Sequence, residues 1–218
     1  MMKYHKKYKT GFTLVESLVA VSIFTGSLLG IIVLSSQGIV DTGYAKRKVI
    51  ASYLAQEGIE YIHNLRYSYV LYDETLFPPS GSTQAGWDKF RVKLLGASFN
   101  TLCSNLSTGC FIVGDNLNYS DSTQPMIDIF IRPCTGSLQC RNLSSPNLGI
   151  MYYDSNTGKY NNSIVGTDSG FSRKITVTQV GSPVNELKVT STVYWLKQGS
   201  SSSYNSVSFT ESIFNWNE

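Results

Sequence analysis

At 218 residues the chain has room for one membrane anchor and one head domain with a core large enough to fold alone. Charged residues make up only 15%, and the formal net charge of +3 comes from the extreme N-terminus: leaving out Lys3, Lys6, Lys7 and Lys9 reduces 18 basic residues to 14, against 15 acidic. A nearly neutral body excludes the simplest form of nucleic-acid binding, which needs clustered Lys and Arg to displace counterions.

The basic segment 1–11 runs into Lys9-Thr10-Gly11-Phe12-Thr13-Leu14-Val15-Glu16-Ser17, which opens an apolar run over 12–40. As a helix that run would be ~43 Å long, enough to cross a bilayer. Its only ionisable side chain is Glu16. A carboxylate in hydrocarbon costs on the order of 3 kcal/mol or more and calls for a cation. No basic residue lies within the run, but cleavage after Gly11 would leave a free amine on Phe12, one helical turn before Glu16. Two simpler patterns compete. A secretory signal has a shorter apolar core and its cleavage site follows that core, the reverse of the order here. An uncleaved signal anchor fits the length, with the four leader lysines held in the cytoplasm, but leaves Glu16 without a purpose.

These residues carry a family resemblance. The basic leader, Gly11, Phe12, Thr13, Leu14, Val15, Glu16 and the long apolar helix resemble the processing signature of type IV prepilins and type II secretion pseudopilins. The resemblance implies cleavage between Gly11 and Phe12 by a prepilin peptidase, methylation of Phe12, and an assembly role for Glu16 opposite a neighbouring subunit's amine. It implies as partners other pilins or pseudopilins, an inner-membrane assembly platform and the lipid bilayer. The expected location is the cytoplasmic membrane, single-pass with the head outside the cytoplasm, and afterwards a pilus or pseudopilus.

Beyond the span, Lys46-Arg47-Lys48 marks emergence from the membrane. The helix is expected to continue to about residue 66, as a single element over 12–66, because Ile50, Leu54, Gly58, Ile62 and Leu65 lay an apolar stripe on one face. Gly58 in that stripe would let a strand approach closely, at about 1 kcal/mol of helix propensity. The segment 51–60 also resembles the corresponding part of minor pilins. A head domain over 67–218 follows, opening on Pro78-Pro79 and Ser80-Gly81-Ser82-Thr83 as an exposed loop. Trp87, Phe90 and Leu94 predict a short covering helix over 87–95, with Trp87 in a structural role.

Four cysteines form two local pairs, Cys103 with Cys110 and Cys134 with Cys140. An even count in short loops of a translocated domain predicts two disulfides formed outside the cytoplasm, with neighbour pairing expected among three possible connectivities. A four-thiolate zinc site is disfavoured by the spacings. Strands are predicted at 110–113, 126–131, 148–153, 171–180, 186–195 and 206–214, the last three as a meander turning at Gly181-Ser182-Pro183-Val184-Asn185 and at 198–204. Lys174, Thr176 and Thr178 alternate with Ile175, Val177 and Val180, which predicts a sheet with one buried face. The segment 171–176 and the tryptophans Trp195 and Trp216 resemble the C-terminal sheet of larger minor pilins.

Catalytic constellations are missing from the sequence. The only histidines are His5, in the leader, and His63, read as a surface or inter-subunit residue. No nucleophile elbow, metalloprotease helix, phosphate loop or dinucleotide fingerprint occurs. No cofactor is expected, with calcium as the one candidate. Asp154-Ser155-Asn156-Thr157-Gly158, with Asp154 and Asn156 as ligands, and a second oxygen-rich stretch over 115–121 have the right donors. Some pseudopilins bind calcium in their heads, but Asp, Asn and Gly between Tyr153 and Tyr160 also make a hairpin for backbone reasons alone.

The sequence therefore predicts an α+β, pilin-like fold: a long N-terminal helix, transmembrane in its first half, packed on an antiparallel sheet with disulfide-bonded loops. The expected function is structural and non-enzymatic, that of a minor pilin or pseudopilin. A pilus-tip adhesin or DNA-uptake subunit on the same anchor is the alternative, although nucleic acid is not an expected partner.

Overall fold

The computed structural model describes Gly11, residues 13–71, 83–97, 102–113 and 130–134, Cys140, and residues 149–162 and 166–215. The chain divides into two compact units, Met1–Lys46 and Arg47–Glu218.

In the first unit the described residues belong almost entirely to α1 (Leu14–Leu71). The helix is exposed throughout this unit, with Leu14 82%, Ile23 66%, Phe24 64% and Leu34 69% accessible. This is the one described helix long and apolar enough to cross a membrane. Its hydroxyls are satisfied within the helix, as hydrocarbon requires: Ser22 donates to the Leu18 carbonyl at 2.8 Å, Thr25 to Val21 at 2.9 Å and Ser27 to Ile23 at 2.8 Å.

The second unit is an α+β layer pair. The later part of α1 covers a seven-stranded antiparallel sheet built from β1 (Cys110–Val113), β2 (Phe130–Pro133), β3 (Ile150–Asp154), β4 (Lys159–Asn161), β5 (Thr167–Val180), β6 (Glu186–Leu196) and β7 (Tyr204–Phe214). The short helix α2 (Thr83–Leu95) adds Trp87, Phe90 and Leu94 to the core, and Trp87 Nε1 donates to the Val184 carbonyl at 2.9 Å. Strand β5 is central. It pairs with β6 along ten successive registered residues from Phe171↔Trp195 to Val180↔Glu186, while β1 and β3 share its other edge.

The apolar stripe falls where the sequence places it. Leu54, Gly58, Ile62 and Leu65 are buried and Ile50 is half-buried, with Ala51, Ala55 and Ile59 widening the dry face. Two core clusters result: Ala51, Leu54 and Ala55 against Met151, Phe171, Val193 and Trp195, and Ile59, Ile62 and Leu65 against Ile175, Val177, Leu187 and Val189. α1 runs past the predicted boundary at 66 to Leu71, since nothing from Tyr67 to Leu71 breaks a helix and Ser68 Oγ bonds back to the Asn64 carbonyl at 2.8 Å. β2 runs past the predicted end at 131 to Pro133. The loop expected at Pro78-Pro79, most of the 126–131 strand and Trp216 lie outside the described residues.

One expectation fails at the centre of β5. Ser172 and Lys174 lie on the face away from α1, yet both are buried. The loop joining Cys103 to Cys110 lies over Lys174. Lys174 Nζ sits 3.5 Å from the Ser107 carbonyl, and a Cβ on Gly109 would fall 2.7 Å from Lys174 Cγ. The alternation is real, but both faces are covered there.

α1 meets the sheet most closely at Gly58. A Cβ at this position would lie 2.5 Å from Ser191 Oγ and 2.9 Å from Arg173 Cδ. Gly58→Val should therefore destabilise the protein by about 1–3 kcal/mol through overpacking, outweighing the roughly 0.3–0.5 kcal/mol gained in helix propensity. Thermal unfolding of the full chain in detergent checks this, with a lower midpoint expected.

Candidate functional site

The sequence directs attention first to the N-terminus of α1. Thr13 is its cap: its hydroxyl accepts the Glu16 N–H at 3.3 Å, and its carbonyl accepts the Ser17 N–H at 3.2 Å. Glu16 thus occupies the first turn, where unsatisfied N–H groups favour a carboxylate. The spacing Thr13-x-x-Glu16 is that of a capping box, a signal readable in the sequence that supplies a local reason for an acid at this position. Glu16 is exposed, and among the described residues no basic group of its own chain pairs with it. Gly11 lies just outside the helix with open space around its Cα. Phe12, the predicted methylation site, lies outside the described residues.

The cysteines pair as neighbours, Cys103 with Cys110 and Cys134 with Cys140, at Cα separations of 4.6 and 5.0 Å. The first bridge is part of the core. Its loop is ordered from inside: Asn105 Oδ1 accepts the N–H groups of Ser107 and Thr108 at 3.1 and 3.2 Å, and Gly109, at φ +66, donates to the Asn105 carbonyl at 2.6 Å. The Cys103 carbonyl accepts the Val177 N–H at 2.8 Å, pinning the loop to β5. The second bridge packs with Phe111 as a smaller cluster.

Of the calcium candidates, Asp154 is half-buried at the end of β3 and Asn156 is exposed in the turn that leads to β4. Both Asp154 oxygens are engaged, Oδ1 by the Asn156 N–H at 2.9 Å and Oδ2 by the Thr157 hydroxyl at 2.8 Å, and these bonds hold its carboxyl below the usual carboxylate range. With Gly158 at φ +68 donating to the Asp154 carbonyl at 2.8 Å, the arrangement is a hairpin turn. Among the described residues no group of three or more His, Cys, Asp or Glu is placed to hold a metal, and residues 115–121 lie outside them.

His63 is neither free nor catalytic in geometry. Its Nε2 is 3.0 Å from Glu211 Oε1 of β7 and its ring stacks near Tyr67, so it ties α1 to the edge of the sheet. Local sequence pattern holds no sign of this partner, nor of the role of Arg173. Alternation places Arg173 on the helix-facing side of β5, where a buried guanidinium is unexpected. Its Nη1 donates to the Leu54 carbonyl at 2.9 Å and to Glu57 Oε2 at 2.8 Å, and its charge lies 5.3 Å from the centre of the Tyr61 ring.

Burial pushes the Lys174 amine below its ordinary 10.5. A lysine with a lowered folded-state pKa binds fewer protons folded than unfolded, so its penalty on stability shrinks as pH climbs toward 10.5. Lys174→Met should therefore raise the unfolding midpoint at pH 7, and its advantage over the parent chain should narrow as the pH is raised toward 10.5. Melting curves of both proteins over a series of pH values from about 7 to 10.5 check the sign.

Comparisons with protein families, with characterised proteins and with solved structures find no match to this chain.

Proposed function

We propose that this chain is a filament subunit, a minor pilin or pseudopilin, anchored by α1 in the cytoplasmic membrane before assembly and acting structurally rather than as an enzyme. The carrying observation is a helix whose apolar surface over 14–40 is exposed among the described residues and which the sequence opens on Gly11-Phe12 and Glu16. Such a surface needs lipid or other apolar helices around it. A head of the α+β type with two disulfides accords with transfer to an oxidising compartment.

In this reading a prepilin peptidase cuts after Gly11 and Phe12 receives the methyl group. The assembly platform then moves the subunit from bilayer to filament, where a neighbour's Phe12 amine neutralises Glu16. Capping by Thr13 supports both stages, because it fixes the first turn and so the direction in which the carboxylate is offered.

Removing one member of a buried ion pair costs about 3–5 kcal/mol. Glu16→Ala should leave membrane insertion and cleavage intact and lower incorporation into filaments by at least about tenfold. Cell fractionation with quantification of the subunit in sheared filaments checks this, and normal incorporation would defeat the pairing. Gly11→Leu should block processing, so that mass spectrometry finds the leader retained. Recovery of a mature N-terminus at Phe12 would reject the cleavage site.

A further inference from the structure

Among the described residues β7 is a sheet edge with no strand on its outer side. It pairs with β6 in unbroken register from Glu186↔Phe214 to Leu196↔Tyr204, and among the described residues it pairs with β6 alone. The hydrogen bonds flanking the strand reveal which way its backbone faces. Lys197 donates to the Ser203 carbonyl at 2.9 Å and Asn215 to the Asn185 carbonyl at 2.8 Å, so the odd-numbered residues direct their backbone groups to β6. By antiparallel alternation Ser206, Ser208, Thr210 and Ser212 direct their N–H and C=O groups away from it.

Natural edges are protected by Lys, Pro, a bulge or an inward charge. Residues 204–214 contain neither Lys nor Pro, and the register shows no bulge. The single charge, Glu211, lies on the α1 side and is engaged by His63 at 3.0 Å. Between Tyr204 and Phe214 at its ends the outer face carries small hydroxyls turned onto their own sheet, Thr210 paired with Thr190 and Ser208 with Thr192, each at 2.9 Å.

We propose that this edge pairs with the β7 strand of a second copy of the chain, antiparallel about a two-fold axis at Phe209. The sequence Tyr-Asn-Ser-Val-Ser-Phe-Thr-Glu-Ser-Ile-Phe is self-complementary in that register. Ser206 falls opposite Ser212 and Ser208 opposite Thr210, which continues the hydroxyl ladders, and Glu211 falls opposite Val207 so that no like charges meet. α1 runs in the same direction as β7, since Ala51, Leu54 and Ala55 pack in the cluster that Val207 borders, and Ile59, Ile62 and Leu65 pack in the one that contains Ile213. The two-fold axis therefore sets the paired head helices running oppositely. It joins copies that face one another, not successive subunits of one fibre, and it stands independently of the filament reading.

The test uses the full chain in detergent, with all four native cysteines held in disulfides. In the pair, residue 206 meets 212 of the other copy, whereas the two copies of 206 lie about 20 Å apart. Oxidising a mixture of Ser206→Cys and Ser212→Cys should give a covalent dimer that neither variant forms alone. Ser206→Pro removes only an outward N–H and should raise the dimer dissociation constant about tenfold, with circular dichroism unchanged. As a second check, Ser208→Lys mixed with Thr210→Glu should form the mixed dimer in preference to either homodimer, and Ser208→Lys mixed with Thr210→Lys should not form it. A chain monomeric at every soluble concentration, cross-linking equal in the single variants, or a dimer indifferent to the charge pairs would each overturn the proposal.

Discussion

The head depends on a close approach between a helix and a strand pair that only one residue type permits. With no side chain at Gly58, the backbone of α1 comes down onto Ser191, and Arg173 reaches up from β5 to the Leu54 carbonyl and Glu57. A buried guanidinium is costly unless its hydrogen bonds are met. Here Nη1 satisfies a helix carbonyl and a carboxylate together and the Tyr61 ring lies beside the charge, while Nε is buried with no partner among the described residues. The contact fixes the helix against the sheet both in height and along its axis, which generic apolar packing alone does less sharply.

From that contact the rest of the head follows in layers. Two apolar clusters lie on either side of it, one toward Trp195 and one toward Leu187, so that the polar contact sits between two dry regions. His63 and Glu211 repeat the arrangement at the sheet's edge with less burial. On the far side the loop closed by Cys103 and Cys110 covers β5, and its inner hydrogen bonds order it without a helix or strand of its own.

Period and composition made most of this architecture legible. The spacing of Leu54, Gly58, Ile62 and Leu65 announced the dry face of α1, and the alternation in β5, β6 and β7 announced the meander to within a few residues of its ends. What remained hidden was the work of side chains across elements. Lys174 looked like a solvent residue because its alternation partners are threonines, and only the fold brings a disulfide loop over it. Arg173 and His63 have partners more than a hundred positions away, Glu57 and Glu211, for which local pattern holds no signal. At the N-terminus the reverse happened: the capping role of Thr13 was present in the spacing, masked by attention to the acid it caps.

α1 answers to two different tests along its length. Over 14–40 the side chains are exposed among the described residues, so oiliness is the only quality that the described fold demands of them, and Leu, Ile, Val and Phe are interchangeable there. Over 51–65 each position fits a particular neighbour, and one added methyl group is felt. Evolutionary drift in this protein should therefore change its grammar partway along a single unbroken helix, loose in spelling before the basic triplet at Lys46 and strict after it.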